Sequence, residues 1–332
     1  MTGLETGTSY FDVMDVRHAE HDLDRFRDAG LDAVLHTFSE RDREYFERTK
    51  ADLVAASHDR GFTVYVNPWA VGGVFGGEAY SGLVAREPSV RQRLASGERV
   101  PAACFNDPDF REYVRGWTCD AVDIGADALF WDEPHWYNVG WFQEHADDDW
   151  SCRCEHCRER YRERFDEPMP VTETETVTQF REESLLDFLD EMMALGHERG
   201  AENAVCLMPK KTADYGFSDW SRVATNDHLD VLATDPYWEA FGESNDPETF
   251  VAEFGETVSG LAANNDLRSQ LWVQGFDLEA GAAADVRAAT RAALDVGVDS
   301  LFTWGYDGCR TISEIAADEP DEVWDAFLDE LP

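Results

Sequence analysis

Short runs of β-branched and aromatic residues alternate with longer amphipathic runs along the whole chain, the pattern of repeated strand–helix units feeding a parallel sheet. The predicted strands are Tyr10–Val16, Ala33–Phe38, Thr63–Asn67, Ala128–Asp132, Ala204–Met208, Val231–Asp235, Gln270–Gln274 and Ser300–Trp304. A helical run follows each. His18–Ala29 is closed by Gly30 and Glu44–Arg60 by Gly61, where glycine takes the left-handed cap conformation. Asp107-Pro108 opens another helix, with Asp107 as the cap, Pro108 at the first helical position, and Tyr113, Trp117, Val122 and Ile124 at helical spacing; Asp246-Pro247 repeats that opening.

Eight such units in 332 residues predict an α/β chain folded as one (β/α)8 TIM barrel over residues 1–332, with long loops after strand three (Pro68–Asn106) and strand four (Glu133–Thr178). The rival architecture, a doubly wound open sheet, expects a glycine-rich phosphate turn after its first strand; Asp15-Val16-Arg17-His18 contains no glycine.

Barrel chemistry sits at the carboxyl ends of the strands. Here those ends are polar and aromatic: Asp15 and Arg17, His36, Asn67 and Trp69, Asp132 to Trp136, Lys210 and Lys211, Asp235 to Trp238, Gln274 and Asp277, and Trp304 to Asp307. Strand four delivers Asp132 and Glu133 side by side among tryptophans, surroundings that raise a carboxyl pKa and equip it to donate a proton to a leaving oxygen. Strand six supplies Asp235, and strand seven adds Gln274, Asp277 and Glu279. Glycoside hydrolysis needs two carboxyl groups, about 5 Å apart for retention or about 6.5–9.5 Å for inversion. Glu133, Asp132, Asp235 and Asp277 are therefore the candidate catalytic acids. Trp69, Trp136, Tyr237, Trp238, Trp304 and Tyr306 are candidates to stack on sugar rings, with His36, Asn67, His135 and Gln274 as polar neighbours.

Charge narrows the partners. The chain carries 28 basic and 69 acidic side chains, a net −41, and a field of that sign repels nucleic acid and anionic membranes. Only three of the basic residues are lysine, namely Lys50, Lys210 and Lys211; the acid-rich, lysine-poor composition resembles that of proteins from salt-loving archaea. Two adjacent lysines at the exit of strand five are then predicted, with Arg310, to meet an anionic substituent on the substrate. No basic segment followed by an apolar stretch opens the sequence, which predicts a cytoplasmic protein, and no apolar run is long enough to cross a bilayer. Self-association into a homo-oligomer is left open.

Cys152, Cys154 and Cys157 fall within six residues, with Cys104 upstream in the other long loop. Four thiolates make a closed tetrahedral site for structural Zn2+, and a metal there would clamp the two loops together. Cys119, Cys206 and Cys309 read as ordinary core or strand residues.

A fourth strand ending in an acid-bearing motif, followed by Cys-x-Cys-x-x-Cys and paired with one earlier cysteine, resembles the glycoside hydrolase family 42 beta-galactosidases. The resemblance implies that Glu133 is the general acid/base and that Cys104, Cys152, Cys154 and Cys157 are zinc ligands. The chain departs from that family in having Asp132 where an Asn precedes the acid/base, and in offering no Glu in register at the end of strand seven. Alpha-galactosidase-like barrels place aspartates at strands four and six, the slots of Asp132 and Asp235, so the pairing of acids stays open. The leading function is a glycoside hydrolase acting on a carbohydrate. The alternatives are a Schiff-base aldolase-type lyase using Lys210 or Lys211 and a non-catalytic carbohydrate-binding barrel.

Overall fold

The computed structural model describes residues 3–142, 145–146, 148–242 and 246–332. Eight parallel strands close into a barrel: β1 (Glu5–Tyr10), β2 (Ala33–Thr37), β3 (Thr63–Asn67), β4 (Ala128–Asp132), β5 (Glu202–Leu207), β6 (Val231–Thr234), β7 (Arg268–Gln274) and β8 (Ser300–Trp304). Each pairs with its sequence neighbour, and β8 returns to β1 through Gly7 opposite Phe302. Helices fill the crossovers and surround the barrel.

Side chains alternate across each strand, so every second residue points into the barrel. Leu35, Tyr65, Phe130, Ala204, Ala233, Trp272 and Phe302 form one buried cluster inside it. Val34, Val66, Leu129, Val205, Leu232 and Leu271 belong to a second cluster with the helices outside. Above the inner packing, the same inward parity brings Asn67, Asp132, Cys206, Asp235 and Gln274 to the mouth.

The first strand lies earlier than Tyr10–Val16. Its segment Glu5-Thr6-Gly7-Thr8-Ser9-Tyr10 carries almost no hydrophobic signal because the barrel needs small residues there. A Cβ on Gly7 would come within 2.6 Å of the Phe302 ring. The hydroxyl of Thr8 is spent on backbone carbonyls of Ser9 and Thr303. The residues expected to continue the strand instead turn away at Asp12, where φ is 61°, and reach the cap at Asp15, which accepts from Arg17 N ahead of helix Val16–Asp28. The Asp107 cap stands as expected, accepting from Asp109 N and Phe110 N at the head of helix Pro108–Asp123.

The two long loops are built structures. The first contains an antiparallel hairpin, Arg91–Arg93 with Arg99–Ala103, and is fastened to the barrel by Glu40, which accepts from Gly72 N, Leu83 N and the Ser81 hydroxyl. The second runs through helix Glu155–Phe165 and meets the hairpin where Gln92 Oε1 accepts from Tyr137 N and the Ser151 hydroxyl. No helix among the described residues is long and apolar enough to cross a membrane.

Candidate active site and cysteine cluster

Strands β4 and β6 deliver three carboxyl groups to one cavity of about 160 Å³ at the barrel mouth, lined by Asp132, Glu133, Asp235, Glu78, Tyr237 and Trp304 among others. Carboxylate oxygens of Asp132 and Asp235 and the sulfur of Cys206 all lie within 4.8 Å of one another. Glu133 adopts φ of 43°, an uncommon conformation for a residue with a Cβ, and its N–H donates to Cys206 O at 3.0 Å. That turn swings Glu133 back over the strand end toward Asp235. Gly76 lies against the same acids: a Cβ there would sit 2.8 Å from Glu133 Oε2, so only glycine lets this loop backbone close over them.

The electrostatics are one-sided. Burial raises the Asp132 carboxyl well above the usual range, the Glu133 and Glu78 charges raise it further, and the Asn67 amide, 3.1 Å from Oδ2, opposes them. Asp235 is raised by burial, then by the charge of Glu133 and a hydrogen bond to it. Burial also raises Glu133, while the bond from Asp235 lowers it. Glu78, accepting from Trp69 Nε1 at 3.2 Å, is raised by burial too. Burial and mutual repulsion thus push all three groups toward the protonated form. Glu133 and Asp235 lean on each other as well as on burial, and both are held above the usual carboxyl range. Asn67 Oδ1 and Asp235 Oδ1 are buried with no protein partner and remain for a ligand to satisfy.

Of the aromatic candidates, Tyr237 and Trp304 line the acid cavity, and Trp69 lines a neighbouring one. Trp304 is backed by Phe11 in a stack with ring centroids 5.4 Å apart. Trp136 and Trp238 are fully buried and belong to the outer core; the Trp136 indole donates to Arg181 O. Tyr306 packs on Phe26 and Trp324 while its hydroxyl donates to Asp22, away from the acid cavity. These three are packing residues.

The polar candidates divide in the same way. His36 has the outward parity of β2: it meets Ser57 of a surrounding helix at 2.8 Å and the edge of Tyr10, and burial lowers its pKa to about 3. It is no part of the mouth. His135 is neutral, lowered to about 4 by burial, and its Nδ1–H donates to Glu133 O at 2.6 Å, which steadies the turn that aims Glu133. Gln274 is committed at both ends of its amide, accepting from Glu239 N and donating to Phe276 O. Asp277 is exposed on the loop after β7 and does not line the acid cavity. Arg310 is exposed and paired with Asp307 and Asp321.

The lysine pair faces elsewhere. Lys211 is exposed, with its ammonium 5.4 Å above Trp220 and 5.8 Å from Phe254, on the outside of the barrel; Lys210 is partly buried and lines neither mouth cavity. The lysine that sequence alone did not single out as functional is the one at the mouth. Lys50 is 2 % exposed, 3.4 Å from Asp42, and lines a cavity of about 550 Å³ beside the acids. Its place near the start of helix Glu47–His58, away from any strand end, gave no local signal. The only hint was its rarity.

The four loop cysteines meet. Sulfurs of Cys104, Cys152, Cys154 and Cys157 are buried within 4.8 Å of one another, with Cys104–Cys157 at 3.4 Å and Cys104–Cys154 at 3.5 Å. Tetrahedral zinc thiolates, with Zn–S near 2.3 Å, have sulfur–sulfur edges of about 3.8 Å. Asn106 N and Arg93 N each donate at 3.4 Å, to Cys104 and Cys152, and Asn106 Nδ2 donates at 3.3 Å to Cys157. Such donors suit sulfurs that carry negative charge. The residues therefore fit a closed four-thiolate metal site that joins the two loops.

No protein-family model matches the chain, and no curated protein does. Among solved structures, it is similar over 99% of its length to a catalytic mutant of a GH42 beta-galactosidase from G. stearothermophilus, with a TM-score of 0.69 and 14% identity, covering 56% of that chain. The endo-1,4-beta-mannanase of Rhizomucor miehei gives a TM-score of 0.65 at 11% identity, over 98% of this chain and 94% of that one. A D-allulose 3-epimerase from Methylomonas sp. gives 0.52 at 9% identity, over 99% and 97%. The chain spans little more than half the length of the beta-galactosidase. At such identities the likeness establishes the barrel and leaves activity to the site.

Proposed function

We propose that this chain is a glycoside hydrolase in which Glu133, Asp235 and Asp132 carry the chemistry. The observation that carries this reading is the meeting of Glu133, Asp235 and Asp132 in one small cavity, each carboxyl group pushed toward its protonated form. Cleavage of a glycosidic bond requires a protonated acid at the leaving oxygen and a second carboxyl group facing the sugar. Glu133 projects from the backbone turn at the cavity and, held toward its protonated form, delivers its proton to the departing oxygen. Asp132, held by Asn67, lies beneath. Tyr237 and Trp304 supply the walls on which a sugar ring stacks. Zinc in the four-cysteine site would be structural: closed by four sulfurs, it supplies rigidity to the loops that roof the mouth.

The test is a panel of 4-nitrophenyl glycosides, the beta-galactoside and beta-mannoside included. The native chain is expected to release nitrophenol from at least one, and Asp235→Asn to lower kcat on it by about 10²–10⁴-fold. Release that is unaffected by this substitution would refute the assignment.

One observation favours a second reading. Asp132, Asp235 and Cys206 form a buried donor set with two unpartnered oxygens near it, and a divalent cation could replace the protons held there. Metal analysis separates the two. A single equivalent lost on Cys157→Ser supports the proton reading, and a second equivalent lost on Asp235→Asn supports the cation.

A further inference from the structure

The acid cavity has the volume of about five bulk waters, room for one sugar ring. Against it lies the 550 Å³ cavity, and Glu78 lines both. Trp69, whose indole is held by Glu78, also lines the larger space. Glu78 is thus common to both cavities, with the Trp69 indole bonded to it from the larger side.

We propose that the larger cavity is a second sugar subsite, so that the substrate is a neutral oligosaccharide laid across both cavities, with Lys50 binding its second ring. The inference rests on the glycosidase reading for the nature of its ligand.

Three features of the wall support it. First, burial lowers the Lys50 pKa while Asp42 and Asp12 oppose that shift, so the amine brings two or three N–H donors, and its partner Asp42, 3.4 Å away, already accepts from Ser39 N and Ser39 Oγ. An amine pinned so loosely retains N–H groups for hydroxyl oxygens in the cavity. Second, the rim carries two of the chain's exposed large apolar side chains, Tyr80 at 97 % and Met14 at 41 % exposure. An aromatic ring left wholly in water at a cavity mouth is a ready stacking platform. Third, the ionisable groups in the wall are Asp12, Asp42 and Glu78 against Arg41 and Lys50, so the cavity has no excess of positive charge to attract a uronate or sulfate. The charge balance selects an uncharged, hydroxyl-rich ring. The anionic substituent expected from the lysine pair is not matched here.

The test uses the full-length Glu133→Gln protein, to prevent turnover, and isothermal titration with galactose, β-1,4-galactobiose and β-1,4-galactotriose, then the corresponding mannose series. Affinity is expected to rise roughly tenfold between one ring and two in at least one series. Tyr80→Ala in the same background is expected to remove most of that gain, and Lys50→Met the rest. Tyr80 is so exposed that its loss cannot unfold the barrel, so the test survives if the Lys50 variant fails to fold. Affinity independent of ring number, absence of binding in both series, or a gain that survives Tyr80→Ala and Lys50→Met overturns the proposal. A gain with the expected losses, in a native protein that hydrolyses no glycoside, sustains the subsite while refuting the glycosidase reading.

Discussion

Two clusters of like groups are buried in this molecule, and they resolve the same electrostatic problem differently. At the barrel mouth, Asp132, Glu133 and Asp235 crowd together, and the surroundings push every one of them toward the protonated form. In the loops, four cysteine sulfurs crowd as closely but are met by Asn106 N, Asn106 Nδ2 and Arg93 N. Hydrogen-bond donors suit groups that keep negative charge, and the fewer donors at the carboxyl groups fit groups that favour the protonated form. Crowding alone therefore does not identify a metal site; the partners of the crowded atoms do.

The contrast is broken most severely at the cysteines. Cys157→Ser should release the metal, loosen both loops and lower the thermal midpoint, a loss on the order of 3 kcal/mol or more, measured by calorimetry beside metal analysis. A native midpoint without metal would place the cluster among inert thiols. The acids should respond to pH in the opposite sense to ordinary paired carboxylates. Groups whose folded pKa is raised contribute stability below their unfolded pKa and lose it as pH rises through the folded value. Asp132→Asn should therefore stabilise the protein relative to native at alkaline pH and have little benefit in acid, read as thermal midpoints across pH. The smallest effect is expected at Lys211. Lys211→Ala should cost only about 0.5–1 kcal/mol, the contribution of an exposed ammonium over Trp220 and Phe254, and leave turnover of a single-ring glycoside intact.

Much of this was legible in the sequence, for definite reasons. Strands β3, β4 and β8 coincide with their predicted bounds, because their residues are buried on both faces and read as continuous apolar runs. β1 did not, since its Thr, Ser and Gly are small to admit Phe302. The cysteine cluster could be read because three of its members are neighbours in sequence. The acids could be placed at strand ends, but their partners could not be chosen until β4 and β6 faced each other across the barrel.

Nearness to a strand end fixes neither the parity of a side chain nor the course of the chain beyond it. His36 stands near a strand end, but alternation from Leu35 and Thr37 turns it outward. Trp136 and Trp238 lie beyond strand ends but fold back into the outer core. Lys50 and Glu78 went unread because a helix and a loop carry them to the mouth, and no strand pattern points there.

The central claim is that Glu133 donates the proton to the leaving oxygen. The measurement that tests it most directly is the dependence of kcat/KM on leaving-group pKa for Glu133→Gln against the native chain, across a series of aryl glycosides. The variant should lose by about 10²–10⁴-fold on poor leaving groups and much less on good ones, which need no protonation. An equal loss at every leaving group would contradict the account.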